Sequence, residues 1–242
     1  MNMDVTSLSA GLLQRLISTV YPPRCVLCGS PGFNDMDICE VCYGDLPWIE
    51  SACTQCAIPL AKHSGNQLKC GQCLHKPPLF DRSVSLFSYE KETITLIHQL
   101  KFHEKLAYSR LLGGMLAGAI EKNAAELPDC ILPVPLNKKR LKQRGFNQSI
   151  ELARPAANTF NISLNMHSIK RVRDTPSQTG LDKKQRRKNI RAAFEIVDPL
   201  SAQHVAIVDD VVTTTSTVNE LARLLKRAGV RRVDVWSIAR AV

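Results

Sequence analysis

Asp209 and Asp210 are adjacent carboxylates that close the apolar run Val205-Ala206-Ile207-Val208. Beyond Val211 and Val212 come consecutive hydroxyl residues: Thr213, Thr214, Thr215, Ser216 and Thr217. Hydroxyls at the start of a helix offer donors to phosphate oxygens. The unpaired N–H groups and partial positive charge of the helix end add to them. Paired carboxylates repel phosphate and suit sugar hydroxyls or Mg²⁺. A pentose phosphate presents both kinds of group, so this stretch reads as a site for one.

Cysteine supplies a second chemistry. Of nine cysteines, eight form the C-x-x-C pairs Cys25/Cys28, Cys39/Cys42, Cys53/Cys56 and Cys70/Cys73. Each pair sets two thiolates on one tight turn, and two such knuckles complete a tetrahedral Cys₄ zinc site. Sequential pairing, 25/28 with 39/42 and 53/56 with 70/73, is the simplest arrangement; interleaved pairing is also compatible with the spacing. With no secretory signal in the sequence, zinc is expected rather than disulfides. A closed Cys₄ set leaves no open position, so both metals are expected to be structural and to supply much of the local folding energy. His63 and His75 then read as ordinary loop residues, and Cys130 as a small buried apolar one.

These groups need elements to hold them. The run ending at Asp209 reads as a strand buried on both faces. Val218 to Gly229 reads as a helix with Gly229 at its C-cap. Val84–Tyr89 and Cys130–Pro135 read as further strands, and Val230 to about Ala239 as the last one. Helical spacing runs through Ile94, Ile97 and Leu100, then from about Leu106 to Lys122, where Gly113, Gly114 and Gly118 suggest close packing. His98 and His103, on or near these helices, read as surface or packing residues. Strand and helix alternate from residue 84 onward, the pattern of an α/β fold with a parallel sheet and flanking helices. Ligands of such sheets bind beyond the carboxyl ends of the strands. The loop after Pro135, with Lys138, Arg140 and Arg144, is therefore expected on the same edge as the acidic-hydroxyl loop. The expected organisation is an N-terminal amphipathic helix (1–22), a double zinc ribbon (23–80) and an α/β domain (81–242).

Charge follows this division. Residues 1–80 carry 5 Lys+Arg against 6 Asp+Glu, residues 81–128 carry 6 against 6, and residues 129–242 carry 21 against 10. The whole excess behind the formal net charge of +10 lies around the phosphate-type loop. Such a field attracts pyrophosphate, nucleotides or nucleic acid. Residues 170–191 hold nine Lys/Arg, including Arg173, Arg186, Arg187 and Lys188, around the turn-forming Pro176–Gly180. They read as a polar lid. The N-terminal Leu8, Leu12, Leu13, Leu16, Ile17 and Val20 form an amphipathic helical pattern without the flanks of a signal peptide. A soluble, cytoplasmic protein is expected.

The stretch from Val205 to Thr217 resembles the phosphoribosyl-pyrophosphate (PRPP) loop of type I phosphoribosyltransferases: an apolar strand, D-D, two residues, T-T-G-x-T. The glycine position is Thr215 here, so the loop is expected to take a phosphate less tightly or in an altered shape. Over nearly the whole chain, other motifs stand in a fixed order. They are the four C-x-x-C pairs, Tyr89-Glu90 with Lys101-Phe102, Pro133-Val134-Pro135, Arg144-Gly145-Phe146-Asn147-Gln148, Gln178-Thr179-Gly180-Leu181, Arg187-Lys188-Asn189 and the PRPP-type loop. Together they resemble the ComF family, a double zinc ribbon ahead of a type I phosphoribosyltransferase-like domain. The resemblance implies a bacterial cytoplasmic protein of natural transformation and DNA uptake. It also implies PRPP with Mg²⁺, or single-stranded DNA, as ligand and DNA-uptake or recombination proteins as partners. By the same resemblance Asp209 and Asp210 would hold ribose hydroxyls and Thr213 to Thr217 the 5′-phosphate. Pro135 to Arg144 would face pyrophosphate and Arg173 to Lys188 would form a flexible loop. Three functions are compatible with this: a PRPP-dependent transferase, a DNA-handling protein that keeps the fold, and a non-catalytic PRPP-sensing scaffold.

Overall fold

The computed structural model describes residues 22–61, 69–102, 106–123, 126–172 and 193–242. The expected N-terminal helix, His63, His103 and the basic stretch containing Arg173, Arg186, Arg187 and Lys188 lie outside the described residues. Two compact units are distinguished, residues 1–46 and 47–242. In the first, helix α1 (Glu40–Gly44) starts inside the second knuckle, with Cys39 at its N-cap and Cys42 in its first turn. Bridges between Arg24 and Pro31 and between Phe33 and Met36 shape the loops around it.

The second unit begins with residues that run beside a strand: Ile49 donates its N–H to Leu86 O at 2.9 Å, and Ser88 donates its N–H to Pro47 O at 2.9 Å. Its elements are α2 (Gly71–His75), β1 (Arg82–Ser88), α3 (Lys91–Phe102), α4 (Leu106–Asn123), β2 (Cys130–Pro133), α5 (Lys138–Arg144), α6 (Gln148–Phe160), β3 (Ser163–Leu164), β4 (Ile169–Arg171), β5 (Phe194–Ile196), β6 (His204–Val212), α7 (Ser216–Arg227) and β7 (Arg232–Arg240). Among the described residues one sheet has the order β1-β7-β6-β2-β3, and all its neighbours are parallel. A short antiparallel ribbon joins β4 and β5. This is the α/β architecture that the strand–helix alternation predicts.

The central strands are buried because their residues are apolar on both faces. Val205, Ala206, Ile207 and Val208 of β6 are all fully buried. Val205, Ile207, Val233 and Val235 share one buried cluster with Val218, Leu221, Ala222 and Leu225 of α7. Those α7 positions recur every three or four residues, so one stripe of the helix faces the sheet. Phe80, Phe194 and three zinc-type cysteines, Cys53, Cys56 and Cys73, belong to the same cluster. The second ribbon therefore shares the core of the sheet. Gly229, just past α7, has φ +97° and its N–H donates to Lys226 O at 3.2 Å, as a C-terminal glycine should.

Helices α4 and α6 pack against each other, and one glycine sets their distance. A Cβ on Gly113 would lie 2.8 Å from Pro155 Cγ and 2.9 Å from Leu152 O, the latter an unyielding backbone atom. Gly114 and Gly118 have open space at that position, so only the first of the three glycines predicted to pack closely does so by necessity. Gly113→Ala is expected to destabilise the protein by about 1–3 kcal/mol through overpacking, whereas Gly118→Ala should be neutral or stabilising. Urea denaturation of the two variants checks this.

Candidate ligand cavity and metal clusters

Strand β6 delivers Asp209 and Asp210 to its carboxyl end, and the chain then turns sharply into α7. The turn rests on Thr215, which has φ 59° and ψ 0°. A β-branched residue rarely takes the left-handed region, and such a conformation persists only when its surroundings impose it. Thr215 Oγ1 donates to Thr214 O at 2.6 Å, and Thr214 and Ser216 hydroxyls bond at 2.9 Å. No side chain caps the first turn of α7. The N-terminal end of the helix is thus left to whatever enters the loop.

The basic loop forms a compact helical hairpin. Asn137 accepts from Arg140 N at 2.7 Å and starts α5. Gly145, at φ 75°, ends it, and Asn147 starts α6 by accepting from Ser149 N at 3.0 Å. Asn147 Nδ2 also donates to Val134 O at 3.1 Å, tying the hairpin to the exit of β2. Arg144 then donates to Gln148 Oε1 at 2.8 Å, and Gln148 Nε2 to Asp210 Oδ2 at 3.4 Å. From the other side Lys101 of α3 forms an ion pair with Asp210 Oδ2 at 2.7 Å.

These elements enclose a cavity of about 880 Å³. Its walls bring together Asp209, Asp210 and all of Thr213 to Thr217 with Arg140 and Arg144. Pro135 and Lys138, expected with them, are at the foot of the same hairpin but do not line the cavity. Gln143 of the Pro135–Arg144 stretch lines it too, as do Lys101, Gln148 and Arg171, which no local pattern marks as site residues. Tyr89, Ile94, Ile97 and His98 form a further wall. The periodicity of α3 marked Ile94 and Ile97 as helical but could not say that part of that helix faces a ligand space. Among the described residues the wall holds four permanent cations, Lys101, Arg140, Arg144 and Arg171, against two carboxylates. The cavity is suited to a polyanion that also carries hydroxyls.

The cysteines collect as Cys25, Cys28, Cys39 and Cys42, and as Cys53, Cys56, Cys70 and Cys73, with the sulfurs of each group within 4.8 Å of one another. Pairing is sequential. Tetrahedral zinc with Zn–S of about 2.3 Å requires sulfurs roughly 3.8 Å apart. Cys28 and Cys39 sulfurs lie 3.6 Å apart, and Cys56 and Cys70 sulfurs 3.7 Å apart, so both sets fit the ion. Backbone N–H groups already point at these sulfurs: Cys42 N lies 3.4 Å from Cys39 Sγ and Cys70 N 3.3 Å from Cys53 Sγ.

Comparison with known proteins agrees with this organisation. A family model described as a double zinc ribbon domain matches residues 16–74. The DNA utilization protein YhgH of Salmonella typhimurium LT2 is 40% identical over 226 residues, covering 91% of this chain and 98% of that protein. Its counterpart from Escherichia coli K12 is 39% identical over the same length. Competence protein F of Haemophilus influenzae is 34% identical over 221 residues, covering 84% of this chain and 96% of that protein. This chain belongs to the ComF family. A match over 91% of 242 residues necessarily includes both cysteine clusters and the cavity loop, so the ComF likeness is not confined to the ribbons. The two Cys₄ clusters are structural zinc sites of the ribbon type. No helix among the described residues is long and apolar enough to cross a membrane.

Electrostatics in this ComF-family cavity are uneven between the two carboxylates. Asp210 has Lys101 and Gln148 as partners. Asp209 is pushed up to about 7, first by burial and then by repulsion from Asp210, against the pull of Lys101. Burial also pulls the Arg144 guanidinium down from its ordinary value, with Asp210 opposing. Because the folded value of Asp209 lies above its ordinary 3.8, folding favours its protonated form. That contribution is complete below about pH 4 and is lost as pH rises through about 7. The thermal midpoint should therefore fall between pH 5 and 8 more steeply in the native protein than in Asp209→Asn. Calorimetry across that range checks it, and equal slopes would contradict the assignment.

Proposed function

We propose that the cavity binds PRPP as its Mg²⁺ complex, and that the protein serves DNA uptake by handling incoming single-stranded DNA in the cytoplasm. One observation carries the ligand reading: a hydroxyl-rich loop at an uncapped helix start, two adjacent carboxylates and four cations share one cavity. Asp209 and Asp210 hold the ribose hydroxyls. Thr213 to Thr217 and the start of α7 hold the 5′-phosphate. Arg140 and Arg144 take the pyrophosphate, with Pro135 and Lys138 shaping the same hairpin. Mg²⁺ supplies further neutralisation of the pyrophosphate. Arg173, Arg186, Arg187 and Lys188 lie outside the described residues, and their positive charge suits the same polyanionic ligand. In this reading residues 81–242 act as a phosphoribosyltransferase-type domain. Lys101 must leave Asp210 when ligand hydroxyls or the metal arrive.

The printed names of the relatives, a DNA utilization protein and a competence protein, support the DNA role. The excess positive charge of residues 129–242 supports contact with a phosphate backbone. A second reading, transfer of the ribosyl phosphate to an acceptor, is favoured by the wall of Tyr89, Ile94, Ile97 and His98. PRPP has no apolar face that needs such a wall, whereas a flat heteroaromatic acceptor does.

Titration calorimetry with PRPP and Mg²⁺ tests the ligand reading. Native protein should bind, and Asp209→Asn/Asp210→Asn should bind on the order of tenfold or more weakly. No binding by native protein would overturn it. Release of pyrophosphate on adding free nucleobases would establish the transferase reading, and binding without release would favour a non-catalytic sensor.

A further inference from the structure

The second ribbon and the phosphate-type loop meet at one buried side chain. Arg240 ends β7 and is 5% exposed. Its Nε donates to Cys56 O at 2.9 Å. Its Nη1 donates to Val212 O at 3.0 Å and also contacts Thr213 O and Ala241 O. One rigid guanidinium thus spans a zinc-ligand residue and the two residues that lead into Thr214 and Thr215. Among the described residues these partners are all main-chain carbonyls. A carbonyl is fixed by the backbone, so it cannot follow the guanidinium as a side chain would. If the knuckle at Cys56 opens, the guanidinium must leave an N–H unpaired in a dry site or move and release the loop.

The loop needs this support. Thr215 holds a left-handed conformation, which persists only where neighbouring structure over-determines it. Arg240 supplies such a constraint by holding the carbonyls two and three positions before Thr215. The knuckle is in turn held by its core position, since Cys53, Cys56 and Cys73 are buried with β6, β7 and α7.

We propose that Arg240 is a positioning residue that couples metal occupancy of the Cys53/Cys56/Cys70/Cys73 site to the shape of the Thr213–Thr217 loop. Metal in the second ribbon keeps the loop ready for an anionic ligand, and loss of that metal loosens it. The Cys25/Cys28/Cys39/Cys42 site takes no part. The proposal rests on the reading that this loop holds a phosphate group, but its first test does not need a ligand.

Hydrogen–deuterium exchange of the full-length, zinc-loaded protein reads the loop directly. The Val212–Thr217 amides should exchange at least about tenfold faster in Arg240→Lys, in Arg240→Met and in Cys70→Ser. The Val205–Val208 amides should stay protected, which shows that the fold survives. Cys39→Ser, which disables only the first site, should leave the loop unchanged. Lysine retains the charge but cannot span both sides, so Arg240→Lys keeps the test open if the methionine variant fails to fold. The second measurement is zinc release to a chromophoric chelator with and without PRPP and Mg²⁺. By reciprocity, PRPP should raise the equilibrium affinity of the second site for zinc, so that less metal passes to the chelator at equilibrium, in native protein and not in Arg240→Lys. A purely structural arginine would not produce that dependence. Unchanged loop exchange in Arg240→Lys and Cys70→Ser, or an equal response in Cys39→Ser, would overturn the coupling. If the loop responds but native protein does not bind PRPP, the coupling stands and the phosphate reading falls.

Discussion

A carboxylate near the end of a largely buried parallel strand has little water to solvate it. Asp210 is 5% exposed, and it remains acceptable there because Lys101 and Gln148 reach it from two helices. Asp209, beside it, cannot ionise as easily. Much of the cavity follows from that constraint. The cations of α3 and of the α5–α6 hairpin are gathered at the strand end, and they outnumber the carboxylates. A polyanionic ligand with hydroxyls can therefore replace the internal partners without leaving either set of charges unpaired.

The position of the cavity follows from the parallel sheet. Strand ends with the same polarity lie on one edge, so β2 and β6 deliver the basic hairpin and the acidic-hydroxyl loop to the same place. The α4–α6 pair holds the hairpin from below through the close approach at Gly113. On the other side of the loop, the second ribbon is continuous with the core, and Arg240 links its knuckle to the loop backbone. A metal site that performs no chemistry can still set the geometry of a ligand loop in this way.

Local features were the legible ones. The apolar run of β6, the hydroxyl loop and the C-x-x-C spacing each express their structure within about twenty residues, and the structure brings each together as expected. Sequential cysteine pairing needed coordinates, because spacing alone permits interleaving. Lys101 and Asp210 lie 109 positions apart in the sequence, and Arg240 reaches Cys56 over 184 positions, so no periodicity announces either contact. Thr215 shows a different limit. Its residue type argues against a left-handed turn, but the strand, the helix and the Arg240 bonds on either side impose one.

On this reading the strand end at Asp209 and Asp210 and the loop after it receive one phosphorylated pentose. A crystal structure of the zinc-loaded protein with Mg²⁺ and PRPP tests it most directly. The expected result is the 5′-phosphate against Thr213–Thr217, ribose hydroxyls or the metal at Asp209 and Asp210, and Lys101 withdrawn from Asp210. PRPP bound elsewhere, with the Lys101–Asp210 pair intact, would contradict it.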